Sequence, residues 1–393
     1  MRVLVLTHRL PYAPNRGDRV RAYHTLHGLA ARADVELVSL VHDAEEASHV
    51  DHLRAVIPHV TALRVTKARN YVGGALRILS PTPLTHSLLD SPGMMGALQE
   101  IVRRRPPDVV LAYCSGMARF ALAPPLERIP LVLDFIDVDS RKWQDLSETT
   151  PPPLSWIYRR EAATLGAFEA RAARHAAAAL VVNEREAALA RELAPEANIH
   201  VVCNGVELER LRPRHAAQAS SRVMFCGVMN YAPNDQGMQW FVRQVWPLVR
   251  AERADARLAI VGSHPTAALR ATCANEASIE ITGYVPDVRE WLWESAVAIA
   301  PLRVARGVQN KALEAIAAGV PVVMTDAVAA GLPPLAAAAS IANDPHSFAR
   351  RVLDYLALAP AERRARAASA DLSGLQWSST LAPLWTLLET ASQ

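Results

Sequence analysis

The sequence predicts an α/β protein built from two Rossmann-like domains that face each other across a cleft. Three observations carry that expectation. Short β-branched apolar runs recur along the whole chain and alternate with stretches of helical period. The 393 residues exceed one ordinary core at roughly 100–200 residues per domain. A segment without periodicity, 211–221, contains Pro213 and separates two such series. The expected boundaries are 1–205, 206–374 and a C-terminal helix, 375–393, that packs back onto the first domain.

The first series opens with RVLVLT (2–7), short and bounded by polar residues as a buried strand is. A loop rich in Pro, Asn and Gly follows, then an amphipathic helix near 18–32 and the strand VELVSL (35–40). This β-loop-α-β order starts a doubly wound sheet. Further strands are expected at DVVLAY (108–113), LVLDFI (131–136), AALVVN (178–183) and HVVCNGV (200–206), with an Ala-rich helix over 160–177. The second series runs through RVMFCG (222–227), RLAIVG (257–262), IEITG (279–283), AVAIAPL (296–302) and VPVVMT (320–325). The tail LQWSSTLAPLWTLLETASQ reads as one amphipathic helix, with Trp377 and Trp385 anchoring it across the domains.

Composition excludes several classes. Net charge is only +3, which gives no electrostatic footprint for nucleic acid. Cys114, Cys203, Cys226 and Cys273 form no CxxC or Cys/His cluster, so the expectation is buried free thiols in a reducing, cytoplasmic compartment. The N-terminal apolar run is too short for a leader, and no run reaches the ~18–20 residues of a membrane span. The first loop, HRLPYAPNRGD, has one glycine and no GxGxxG, which argues against NAD or FAD.

The stretch RGVQNKALEAIAAGVPVV (306–323) carries the chemistry. It predicts a helix with Leu313, Ile316, Ala317 and Val320 facing a core and its free N–H groups near Val308, Gln309, Asn310 and Lys311. Such a terminus suits phosphate, and Gly307 permits close backbone approach. Arg303, Arg306 and Lys311 add positive charge. Glu314 follows Lys311 by three residues, placed to accept hydrogen bonds from a ribose or sugar diol. A nucleoside diphosphate meets all these groups; the alternative is a solvated Lys311–Glu314 surface pair.

With these residues in view the chain resembles glycosyltransferase family 4, retaining enzymes of the GT-B fold. The likeness rests on LPYAPNRGDRVRAYHTLHGLAAR (10–32), VVCNGVELERLRP (201–213), GYVPDVREWLWESAVAIAPLR (283–303) and KALEAIAAGVPVV (311–323). DFIDVDSRKW (134–143), YRREAATLGAFEARAARHAAAALVVNEREAALA (158–190) and MNYAPNDQGMQWF (229–241) are similar to a narrower group, the bacterial sugar transferases of exopolysaccharide and PEP-CTERM/exosortase systems. The resemblance implies a nucleotide-sugar donor, a glycan or lipid-linked acceptor and no metal or other cofactor. It implies catalytic roles for Glu314, Arg306 and Lys311, and donor contacts from Arg303, Gly307, Val308, Gln309, Asn310, Tyr284 and Val285. Gly17, Asp18, Arg19 and Asp137 fall on the acceptor side or phosphate loop. There are departures. The first Glu of the family's Glu-x7-Glu pair is Arg306, its diphosphate clamp falls on Val228 and Gln236, and its His-Asp pair is Ile136-Asp137.

Two stretches admit two readings each. In DVD (137–139) the carboxylates could share a divalent cation, but the favoured reading is that Asp139 or Ser140 caps a helix starting near Arg141. Residues 55–89 contain Arg64, Lys67, Arg69 and Arg77, with Tyr71 among them and no acid. That is either a solvated basic face or a patch for peripheral contact with the inner membrane. Three functions follow in order: a retaining sugar transferase, a non-catalytic nucleotide-sugar-binding partner, and a sugar-nucleotide epimerase, for which no convincing acid/base set is visible.

Overall fold

Among the described residues thirteen short β-strands, most of them apolar, order this α/β chain. The computed structural model describes residues 1–13, 17–216, 218–305, 308–333 and 335–393, apart from the side chains of 17, 18 and 336. They divide into two compact units, 1–203 with 380–393, and 204–379.

The first unit holds a parallel seven-stranded sheet: β1 Arg2–Thr7, β2 Asp34–Val41, β3 His59–Arg64, β4 Val109–Tyr113, β5 Leu131–Ile136, β6 Ala178–Val181 and β7 Ile199–Val201. The order is β3-β2-β1-β4-β5-β6-β7. β1 lies inside the sheet beside the central β4, in register with β2 from Arg2 opposite Asp34 and with β4 from Val3 opposite Val109. Being covered on both faces, β1 and β4 are buried along their whole length, with β1 polar only at its end residues Arg2 and Thr7, close to the unbroken apolar run that parallel sheets require. β3 departs from this pattern; its HVTALR is mixed and only partly buried, and nothing in the periodicity singled it out. The helix Leu154–His175 is longer than the expected 160–177, and buries Leu165 and Phe168.

The second unit holds a parallel six-stranded sheet: β8 Arg222–Cys226, β9 Arg257–Val261, β10 Ile279–Gly283, β11 Val297–Ala300, β12 Val322–Met324 and β13 Ala339–Ile341. Its order is β10-β9-β8-β11-β12-β13, the doubly wound arrangement. The winding reverses between β8 and β11, and ligands of such sheets bind beyond the strand ends at that point.

The tail is not one helix. Trp377–Thr380 and Ala382–Ala391 are separate helices. Pro383 explains the break: it lacks an N–H and its ring would clash with the preceding turn. The two tryptophans therefore part company. Trp377 lies in the second unit, where a Cβ at Gly205 would fall 2.6 Å from its backbone. Trp385 lies in the first, where a Cβ at Gly28 would strike its ring at 2.6 Å. HVVCNGV also shortens: the strand ends at Val201, and Val206 instead bridges Gln376. All four cysteines are free; Cys114 and Cys273 are buried, whereas Cys203 and Cys226 are half-buried.

Candidate functional site

In the second unit three neighbouring strands run out into glycine at their carboxyl ends. Gly227 follows β8, Gly262 follows β9, and Gly283 ends β10. The Gly227 N–H donates to Val261 at 3.0 Å and the Gly262 N–H to Gly283 at 3.1 Å. Gly262 has φ +142°, and a Cβ there would fall 1.9 Å from the Gly227 carbonyl oxygen. Only glycine permits this approach.

Across the switch point, β11 ends at Ala300 and the chain returns as the helix Asn310–Ala317. Ala312, Leu313, Ala315 and Ile316 are buried, as the apolar stripe predicts. The helix stops at Gly319, φ +78°, where the Gly319 N–H bonds to Ile316 and the Val320 N–H to Ala315, both 2.9 Å. This is a Schellman ending, with glycine in the left-handed position it requires.

Lys311 does not pair on the surface with Glu314. Its Nζ donates to Asn234 Oδ1 at 2.8 Å and to Gln309 Oε1 at 3.4 Å, and lies 5.1 Å from the centre of the Phe225 ring. Burial pushes the ammonium down to about 8, against the opposing pull of Cys226 and Glu314. Asn234, 4 % exposed, is held by its own Nδ2 donating to the Val228 carbonyl at 2.9 Å. It belongs to the helix Ala232–Trp240, whose Gly237 would place a Cβ 2.8 Å from the Pro301 carbonyl oxygen. That close fit sets this helix against the end of β11. Asn234 is a residue that sequence reasoning missed; MNYAPND, just after a strand ending in glycine, held the only signal. Burial also raises the Glu314 carboxyl; Lys311 lowers it, Glu207 raises it and Arg210 lowers it.

The expected helix-terminus donors are not all open. The Asn310 N–H turns back to the Val308 carbonyl at 3.1 Å, and the Ala312 N–H to Gln309 at 3.0 Å. Asn310 Oδ1 accepts from Asn204 Nδ2 at 3.3 Å, which ties the NGV segment to the start of the helix. Val308 packs on the core; Arg303 is exposed. Tyr284 is 68 % exposed beside Gly283, and Val285 packs on the core. Arg306 and Gly307 lie outside the described residues.

In the first unit Gly17 is not a loop glycine but opens the helix Gly17–Ala30. Asp18 shares that first turn, and its side chain is outside the description. Arg19 is buried and ion-paired with Glu46, which also pairs with Arg9 at 2.7 Å. Asp137 is half-buried after β5, its N–H donating to Phe135 at 2.8 Å. The capping expectation at DVD is corrected: the helix Asp139–Thr149 begins at Asp139, with Val138 at the cap position and no side-chain capping bond. Burial raises the carboxyl of the half-buried Asp139, against the opposing pull of Lys142 and His8. Buried acids pin the turn: Ile136 N–H donates to Asp134, Val138 N–H to Glu186 at 2.9 Å and Ser140 N–H to Glu169 at 3.3 Å. Ile136 has φ +66°, a costly conformation for a β-branched residue, about 1–3 kcal/mol. Asp134 is itself fixed by the fully buried Arg21 at 2.7 Å, whose Nη1 donates to the Val202 carbonyl at 2.8 Å. Among the described residues no group of three His, Cys, Asp or Glu side chains is placed to hold a metal ion.

Comparison with known proteins adds to this geometry. A family model described as "Glycosyl transferase 4-like domain" matches residues 16–205, and one described as "Glycosyl transferases group 1" matches 220–357. No curated protein matches. Among solved structures, Anabaena HepE in complex with UDP-glucose is 13% identical, covering 99% of this chain and 100% of its own, with a TM-score of 0.70. A TarM variant from S. aureus, crystallised with Fondaparinux, alpha-GlcNAc-glycerol and UDP, is 11% identical over 98% and 99%, TM-score 0.69. An alpha,alpha-trehalose-phosphate synthase (UDP-forming) from Burkholderia vietnamiensis is 15% identical over 100% and 97%, TM-score 0.65. At such identities the structures establish the fold, two Rossmann-like domains of the GT-B type.

Proposed function

We propose, starting from a chain that belongs to the glycosyltransferases, that it moves a sugar from a nucleoside diphosphate sugar to a hydroxyl of a glycan or lipid-linked acceptor. The reaction retains anomeric configuration and uses no metal, and its place is the assembly of an exopolysaccharide in the bacterial cytoplasm. The second unit takes the donor and the first unit the acceptor. One observation carries the reading: Lys311, held by Asn234, projects at the switch point of the second sheet with its ammonium pushed down to about 8.

That arrangement fits a leaving group that gains charge. As the bond from the anomeric carbon to the diphosphate oxygen breaks, a bond to the acceptor oxygen forms on the same face. The acceptor proton passes to the departing phosphate oxygen. A desolvated ammonium aimed at that oxygen interacts more strongly than one in water, because the surroundings screen less. Glu314, whose carboxyl burial raises, takes hydrogen bonds from the ribose hydroxyls and is favoured as the anion when it does so. Arg306 and Arg303 supply the further positive charge that Val228 and Gln236 do not.

UDP, which accompanies HepE and TarM and is formed by the Burkholderia enzyme, is the nucleotide to try first. Thermal-shift screening against UDP-, GDP-, ADP- and dTDP-sugars identifies the donor, since a ligand that binds only the folded state raises apparent stability. Lys311→Met should weaken nucleoside diphosphate binding roughly 10- to 100-fold, the value of about 1.5–3 kcal/mol for a charged hydrogen bond. Wild-type affinity should fall as pH rises through about 8, where Lys311 loses its proton, and the variant should lose that limb. Calorimetry measures both; an unchanged Lys311→Met affinity removes Lys311 from the site. Turnover should survive a chelator and be lost in Glu314→Ala, with product configuration read by NMR. Donor binding without turnover in the wild type would instead favour a non-catalytic nucleotide-sugar-binding partner, the reading to which Arg306 in place of glutamate points.

A further inference from the structure

The first unit carries a surface that its own fold leaves unexplained. The helix Lys67–Leu76 buries Asn70 and Gly74 and turns its larger apolar side chains outward, the reverse of an ordinary surface helix. Tyr71 is 66 % exposed, Val72 62 %, Leu76 82 % and, just past the helix, Leu79 98 %. Asn70 Nδ2 donates to the carbonyls of Leu88 and Asp90 at 3.1 and 2.9 Å, so a polar anchor, not an apolar one, holds the helix in place. The loop after it is fixed as well. Arg160 donates to the carbonyls of Arg77, Ser80 and Thr82 at 3.1, 2.5 and 2.7 Å, and Glu161 accepts from the N–H groups of Leu84 and Thr85 at 2.7 and 2.9 Å. Trp156, 64 % exposed, lies one helical turn before Arg160 and therefore on the same side of its helix.

Charge accompanies the apolar groups. Residues 55–89 contain Arg64, Lys67, Arg69 and Arg77 and no acid, and all four cations are exposed. Asp90, the next acid along the chain, is paired with Arg119 at 2.8 Å and Arg69 at 3.6 Å. We propose that this surface rests on an anionic lipid bilayer, with Val72, Leu76, Leu79 and Trp156 entering the boundary between headgroups and acyl chains and the cations meeting lipid phosphates. Apolar area inserted at the interface and basic residues beside it act together in such binding. A second copy of the chain is a poorer occupant, because a two-fold contact would bring the same cations face to face. The inference stands on this surface alone, so its failure leaves the transferase reading intact, which nucleotide binding tests separately.

The full chain should co-sediment with phosphatidylcholine vesicles containing phosphatidylglycerol, far less with phosphatidylcholine alone, and less as salt is raised. Leu76→Ser with Leu79→Ser should lower partitioning on the order of tenfold or more, given the value of buried CH2 groups. Its melting temperature and UDP affinity should stay as in the wild type, since both side chains are exposed. Arg64→Gln with Lys67→Gln should abolish the preference for anionic vesicles. Equal sedimentation with both vesicle types overturns the proposal. So does a wild-type dimer, seen by analytical ultracentrifugation, that the leucine variant converts to monomer without any change in vesicle binding.

Discussion

Glu169 is fully buried beneath the turn after β5, where it accepts the Ser140 N–H. Burial pushes its carboxyl up to about 8, and Asp139 adds to the rise. In the folded chain it is therefore protonated across the range in which the unfolded chain, with an ordinary carboxyl, is ionised. The folded state binds the extra proton, so this group's contribution to stability is complete below about pH 4.5 and is lost as pH rises through about 8. Glu169→Gln, neutral and of the same shape, should remove that decline. The difference in melting temperature between variant and wild type, followed by circular dichroism from acid to pH 9, should widen in the variant's favour toward the alkaline end. A constant difference would mean that folding leaves the Glu169 carboxyl at its ordinary value. Little of this was legible in the sequence. Glu169 lies 29 residues from the amide it receives, and Arg21 lies 113 from Asp134. The same limit hid Asn234, 77 residues before Lys311, although Lys311 and Glu314 stood out in a local motif.

At the scale of elements, strands buried on both faces announced themselves, because a parallel sheet covered by helices needs unbroken apolar runs. β3 and β13 did not: one is mixed and partly exposed, the other three residues long. Helix starts were less legible than helix stops. Gly319 marked its stop through the left-handed backbone it supplies, whereas the turn at Asp137–Ser140 is held by acids on other elements, and local capping preference pointed to the wrong residue. The run of strand-terminal glycines yields a direct test. Gly262→Ala would push a methyl group to 1.9 Å from the Gly227 carbonyl oxygen, at a backbone angle that alanine rarely adopts. The ends of β8 and β9 must then separate. We expect a loss of about 3 kcal/mol or more, the range of the severe backbone and packing mechanisms, measured by urea unfolding. Gly374→Ala is the control, because a Cβ there meets nothing within 4 Å. Equal stabilities would show that the two strand ends are further apart than described.

Across the whole molecule the two units are assembled differently along the chain. The second is one continuous segment, 204–379, whereas the first needs 380–393 to complete it. Those last residues supply the first unit with Leu384 and Leu388, both fully buried, and with Trp385, which lies against Gly28. Lys311, Glu314, Asn234 and the three strand-end glycines all belong to the second unit. Truncation after Ser379 should therefore separate the two behaviours. Each large apolar side chain withdrawn from a core removes about 1.5–3 kcal/mol, so three remove much of the ~5–15 kcal/mol that holds a domain folded. The shortened chain should lose the first unit's cooperative transition in calorimetry, or show it many degrees lower. The fragment 204–379, by contrast, should fold, keep the fully buried Phe225 and Trp246 of its core, and bind UDP with an affinity close to that of the complete chain. If the truncated protein instead melts in one unchanged transition, the tail contributes nothing to the first core. If the isolated fragment folds without taking UDP, residues of 1–203 or 380–393 are needed for donor binding, and the proposed assignment of that step to the second unit is wrong.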